Sequence, residues 1–257
     1  PGRFCLDKYE ASYATSGTKP DGTQCTSNCP ISQYNLAPWT SVGGSIPLVS
    51  QNQAITYCQN MGKQLPTDFE WWLAAAGTPD PYNDVPDPYW LAPCHIWDAD
   101  VMGYAPEGSI RACSNGWEYY TDEECLYTPI NTGTAAKCKS IIGAMDMIGN
   151  VNEWTNSTFT CNGSACTYKG INLPNGGFIT SINNEGVPIT TISESMSNSN
   201  FNYDRWELFY YNSGTYAFVR SGYWQQERAY GTGSFYALSQ NSINSSDWFT
   251  GFRCVMR

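Results

Sequence analysis

Hydrophobic and polar positions change period several times along this chain, and each change predicts an element. Residues 4–13, FCLDKYEASY, alternate apolar and polar side chains and are rich in aromatics, which predicts an early strand. A polar loop rich in Gly, Pro and Cys follows, to about Pro47. From Ser50 to Gly62 the sequence SQNQAITYCQNMG places Ala54, Ile55, Cys58 and Met61 at helical spacing, with Ser50 as N-cap and Gly62 as C-cap. Leu65 and Pro66 break the pattern, and Thr67 caps a second helix, TDFEWWLAAAG, in which Glu70 completes a capping box. Phe69, Trp72, Leu73 and Ala76 share one face of that helix, and Gly77 ends it.

Periodicity then fades. Thr78 to Lys139 reads as an irregular insert of Pro, Gly, Asp and Cys, for which Cys94, Cys113, Cys125 and Cys138 are the candidate staples. Residues 143–157, GAMDMIGNVNEWTNS, predict a Gly-rich turn and then a short core strand carrying Met145, Met147, Val151 and Trp154. Between Cys161 and Val219, β-branched runs such as ITTIS and TYAFVRS amid Asn, Ser, Thr and Tyr predict hairpins and loops. Two early helices followed by many short strands indicate an α+β fold, expected to be one domain over residues 1–257.

Composition narrows the function. Only 14% of residues are charged while 15% are aromatic, so polarity is carried by uncharged groups. A net charge of −10 with no Lys/Arg cluster lacks the footprint of a nucleic-acid binder. No apolar run is long enough to span a membrane. The chain opens at Pro1 without a signal sequence and is read as a trimmed fragment of an extracellular or cell-surface protein. Eleven cysteines point to an oxidising compartment and leave one thiol over. Cys25 with Cys29, and Cys161 with Cys166, bracket short loops suited to disulfides. Zinc would need neighbouring pairs and usually histidine, whereas the pairs lie far apart and His95, read as a loop residue, is the only histidine.

Arg220 to Cys254 has a different texture. A sparse framework of Arg, Gly, Trp, Phe and Leu alternates with Tyr, Ser, Asn, Gln and Asp, the residues of adaptable contact surfaces. Tyr230, Tyr236, Trp248 and Phe249 suit exposed anchors, whereas Trp224, Phe235 and Phe252 suit buried framework. Glu153 and Trp154 lack a sugar-binding Glu-Pro-Asn loop and are assigned to a core strand; carboxylates and carbonyl-rich loops leave a structural calcium open. The sequons at Asn156, Asn162 and Asn244 are given no role.

FCLDKYEAS, AITYCQNMGKQLPTDFEWWLAAAG, GAMDMIGNVNEWT and the closing GFRC occur in the order seen in the formylglycine-generating-enzyme (sulfatase-modifying factor) domain, which this chain resembles. That resemblance implies a variant of the C-type lectin fold, with two helices, a mixed sheet and the last strand beside the first. It also implies a disulfide between Cys58 and Cys254. For the family's enzymes it implies copper held by two cysteines between an Arg-Gly-Gly and a Gly-Phe-Arg element, thiolate being a natural ligand of copper(I). The corresponding positions here are Gln226 and Gly231, and no cysteine lies between Cys166 and Cys254.

The same segment is similar to the variable proteins of diversity-generating retroelements. Arg220, Gly222, Trp224, Gly233, Phe235, Leu238, Gly251, Phe252 and Arg253 match their framework; Ser221 and the run Ser242-Ile243-Asn244 depart from it. Such elements mutate adenines, so Asn codons of the AAY type give Tyr, Ser, Asp, Phe and several others without creating stop codons. Tyr223, Tyr230, Ser234, Tyr236, Ser239, Asn241, Asn244, Ser245, Asp247 and Phe249 belong to that accessible set. With Gln226, Glu227, Arg228 and Trp248 they form the expected ligand surface, for an unknown protein or other macromolecule on another cell's surface. No catalytic residue and no cofactor are expected. The alternatives are a divergent metal-dependent oxidase of the same fold and an invariant cell-surface interaction module.

Overall fold

The computed structural model describes residues 3–40, 48–79, 94, 129–175, 177–192, 205–209, 213–222, 235–238, 243–244, 246 and 249–257. The strand expected over 4–13 is two short strands, β1 (Cys5–Leu6) and β2 (Ser12–Ala14). The residues between them run along the C-terminus instead: the Asp7 amide donates to the Cys254 carbonyl (2.9 Å) and the Ala11 amide to that of Phe252 (2.8 Å). This path turns Glu10 into the interior, which a continuous alternating strand would not do. Strands β3 (Gly17–Thr18) and β4 (Gln24–Cys25) form a small hairpin, and β5 (Cys29–Ile31) pairs with β2; a Cys25–Cys29 disulfide closes the turn.

Helix α1 (Gln51–Asn60) begins at Ser50 with both halves of a capping box: Ser50 accepts from the Gln53 amide and Gln53 accepts from the Ser50 amide. It ends at Met61, and Gly62 follows at φ +69°, where a side chain would be strained. Helix α2 (Asp68–Ala75) has the expected Thr67–Glu70 box. Its buried face differs from the one read from hydrophobicity. Asp68, Trp71, Ala74 and Ala75 are buried, while Leu73 and Ala76 are exposed and Phe69 and Trp72 lie half-buried. Two polar commitments turn the helix: Asp68 meets Arg220, and the Trp71 indole donates to Glu153 (2.6 Å).

The main sheet is built from β6 (Asn152–Asn162), β7 (Ala165–Tyr168), β8 (Ile171–Asn172), β9 (Gly177–Ile182), β10 (Pro188–Ile192), β11 (Arg205–Phe209), β12 (Gly214–Arg220), β13 (Phe235–Leu238) and β14 (Thr250–Gly251). Its order is β10-β9-β11-β13-β12-β6-β7-β8, with β14 beside β6. The core strand predicted over 143–157 thus starts later and runs longer, and Cys161 and Cys166 face each other across the β6–β7 hairpin and are disulfide-bonded.

Both sides of β12 are covered, so its side chains are apolar on both faces. Ala217 and Val219 join Trp154, Ala54, Cys58 and Phe252 in one cluster; Tyr216 and Phe218 join Phe159, Tyr168, Ile179 and Val187 in another. In the first, Trp39 stacks on Tyr57 with ring centroids 4.8 Å apart and also touches Phe252. The last strand, β15 (Val255–Met256), pairs antiparallel with β1, and Cys58 is bonded to Cys254. Within the insert, Cys94 is bonded to Cys138, while Cys113, Cys125 and His95 lie outside the described residues.

The bridges differ in how much chain they close. Cys58–Cys254 spans 196 residues and Cys25–Cys29 spans 4. On loop entropy alone, replacing the first pair by alanines is expected to cost about 5 kcal/mol and the second about 2 kcal/mol, read as the difference in urea unfolding free energy.

Candidate ligand-binding surface

The C-terminal segment is suspended from one residue of β6. Glu153 is register-paired with Arg220 of β12 on one side and with Gly251 of β14 on the other. Arg220 and Gly251 therefore stand at the same level of the sheet, with β13 the strand between them in sequence. Gly251 suits this junction because a Cβ there would stand 3.1 Å from a Val151 methyl.

Two arginines at the ends of the segment fix that geometry. Arg220 is fully buried and forks onto Asp68 at the start of α2, Nε to Oδ1 at 2.6 Å and Nη2 to Oδ2 at 2.8 Å; Nη2 also donates to the Gly186 carbonyl. Burial raises the Asp68 carboxyl, and the Arg220 charge and hydrogen bonds pull it back. Arg253 is likewise buried and clamps Glu153 through Nε (2.9 and 2.7 Å) and Nη2, with Nη2 also donating to the Met145 carbonyl at 3.0 Å. Bidentate forks of this kind satisfy charges that would otherwise be costly to bury.

Beneath this pair lies an excess of acid. Glu10 and Asp146 are buried near Glu153 and Arg253, so three carboxylates face one guanidinium. Asn150 donates to one oxygen of Glu10, and the Gly133 amide donates to one oxygen of Asp146; the other oxygen of each has no hydrogen-bond partner among the described residues. Burial, with Asp146 and Glu153 adding to it, drives the Glu10 carboxyl well above the usual range against the pull of Arg253 and Asn150. Asp146 is pushed up to about 6, chiefly by burial, against the Gly133 hydrogen bond.

Of the expected surface, only Tyr236, Asn244 and Phe249 fall within the described residues. Ser221, which stands where the framework has glycine, adopts a left-handed φ of +69°, and Gly222 is buried beside it. β13 carries Phe235 and Tyr236 opposite Arg220 and Val219 and runs parallel to β11 on its other edge. Asn244 is exposed, Phe249 is half-buried with its carbonyl accepting from the Asn152 amide at 2.9 Å, and Phe252 is fully buried against Trp39. Tyr223, Trp224, Gln226, Glu227, Arg228, Tyr230, Gly231, Ser234, Ser239, Asn241, Ser245, Asp247 and Trp248 lie outside the described residues.

Several working residues escaped the sequence reading. Asp68 looks like an ordinary acid in the first turn of a helix, and its partner lies 152 residues away. Glu10 sits in an alternating run that reads as surface-facing polarity. Glu153 carried a local signal, because a carboxylate between core residues Val151 and Trp154 needs a buried cation. Among the described residues no group of three His, Cys, Asp or Glu side chains is disposed to hold a metal ion.

The family model of the sulfatase-modifying factor enzyme 1-like domain matches residues 12–257. No curated protein matches the chain. Among solved structures, it aligns with a Major Tropism Determinant I1 variant at 13% identity and a TM-score of 0.39, covering 96% of this chain and 54% of that one. The chain thus spans about half the length of that protein.

Removing one member of the buried clamp leaves the other charge stranded. Arg253→Met is expected to lower unfolding free energy by about 3–5 kcal/mol, and adding Glu153→Gln should recover part of the loss, measured by urea denaturation. The acid cluster gives a pH dependence of definite sign. Unfolded carboxyls release their protons near pH about 4, whereas Glu10 and Asp146 hold theirs longer in the folded state. The Asp146 contribution is full below that value and is lost as pH rises through about 6, and that of Glu10, raised well above its ordinary value, is likewise lost on the alkaline side. Urea midpoints at about pH 5 and about pH 7.5 should show this decline, and Glu10→Gln should flatten it.

Proposed function

We propose that this chain, which belongs to the sulfatase-modifying factor enzyme 1-like domain family and has its C-type lectin fold, is a non-catalytic binding protein whose C-terminal segment is a diversified ligand surface. The observation that carries this reading is the attachment of residues 221–250 at both ends to Glu153. Arg220, Gly251, Phe252, Arg253 and Cys254 spend their side chains or their small size on the scaffold and are buried. The residues between are rich in Tyr, Ser and Asn, which supply contact area and adaptable hydrogen bonding. Substitution there need not touch the clamps.

Chemistry has little foothold in this reading. No cysteine lies between Cys166 and Cys254, and the two positions that correspond to the family's copper ligands are Gln226 and Gly231. The ligand proposed is a protein or other macromolecule on another cell's surface. Four disulfides among the described residues suit an extracellular or cell-surface setting.

Sequencing independent clones of the gene tests the proposal. Substitutions confined to adenines and concentrated in codons 223–249, with codons 220 and 251–254 constant, are the expected result. Uniform codons across that stretch would overturn diversification, and stoichiometric copper or iron in the purified protein would overturn the non-catalytic reading.

A further inference from the structure

The exposed first turn of α1 touches the C-terminal segment, although it lies some 190 residues away in sequence. Asn52 is exposed; its backbone amide donates to the Ile243 carbonyl at 3.2 Å, and its side-chain Nδ2 donates to Oδ1 of Asn244 at 2.7 Å. The amide is one of the helix's first N–H groups, which have no partner within the helix. Ser50 uses its hydroxyl on Gln53 and leaves this N–H to the loop.

Helix α1 is itself rigidly mounted. Gln51 is buried and donates through Nε2 to the carbonyls of Thr155 (2.7 Å) and Ser157 (3.2 Å) on β6, and Cys58 ties the other end to Cys254. What Asn52 holds is therefore fixed relative to the sheet. We infer that Asn52 is a positioning residue of the binding surface, which anchors residues 243–244 whatever side chain occupies position 244. This rests on the binding reading proposed above.

Its two bonds divide the task. The bond to Ile243 involves only backbone and is blind to the sequence of the loop. The carboxamide of Asn52 offers a donor and, turned over, an acceptor, so it can pair with Asn, Asp, Ser or Tyr at position 244. Those are among the polar residues reached from an Asn codon by adenine change. An acidic side chain at 52 would lack this tolerance, because it accepts hydrogen bonds only.

Amide exchange followed by NMR on the intact chain tests this without a ligand. The Asn52 amide should exchange at least about tenfold more slowly than an unpartnered one, and should stay protected in Asn244→Ser, Asn244→Asp and Asn244→Tyr. Asn52→Asp should leave the amide of residue 52 as protected as in the parent, but Asn52→Asp with Asn244→Asp should raise its exchange several-fold while the rest of α1 and the melting temperature hold. A freely exchanging Asn52 amide, or an acidic pair no different from either single variant, overturns the inference. Either result leaves the binding reading standing. Uniform codons in the clones would remove that reading and leave Asn52's protection in place.

Discussion

The clamp between Arg253 and Glu153 is the constraint on which the remaining structure depends. It joins the last turn of the chain to the middle of the main sheet, and the Trp71 indole brings α2 to the same carboxylate. Neither charge is exposed, so each exists only because the other is in place. The backbone follows the same logic: the carbonyls flanking Arg253, from Phe252 and Cys254, receive the Ala11 and Asp7 amides, so the first and last elements come together around the ion pair. Arg220 and Asp68 repeat the arrangement on the neighbouring strand.

These clamps separate two properties that usually trade against each other. Stability resides in the arginine forks, the aromatic cluster around Trp39 and the disulfides, all of which lie at or outside the ends of residues 221–250. Substitutions at exposed positions away from packing and charge pairs shift stability little, which is what the proposed binding surface would require of its frame. The excess of buried acid under the frame is the exception to its economy: three carboxylates are held around one guanidinium, with two oxygens unpartnered among the described residues.

Features that depend on neighbours in sequence were legible and those that depend on distant partners were not. Both helix starts were readable because a capping box involves residues three apart. The orientation of α2 was not, since Trp71 and Asp68 are turned inward by Glu153 and Arg220, which hydrophobicity cannot register. Residues 4–13 failed for the same reason: their alternation is genuine, yet Glu10 on the polar phase is drawn into the core by Asn150. In the C-terminal segment the framework residues announced themselves by type, and Phe252 and Arg253 are buried as a framework demands. The contribution of Asn52 had no signature, because a polar residue on the exposed face of a helix's first turn looks ordinary.

The pairing of β1 with β15 also sets the order in which the molecule can be assembled. Cys5 meets Met256 and Leu6 meets Val255, so β1 lacks this partner until residues 255–256 have been made. Contacts of such sequence separation form slowly, since loop closure precedes any gain from them. On a chain made from its N-terminus, Glu10 and Glu153 must wait for Arg253 to emerge, and the segment just before it is finished only moments earlier. Closure of the fold therefore waits for residues 253–256, and is locked from that end backwards.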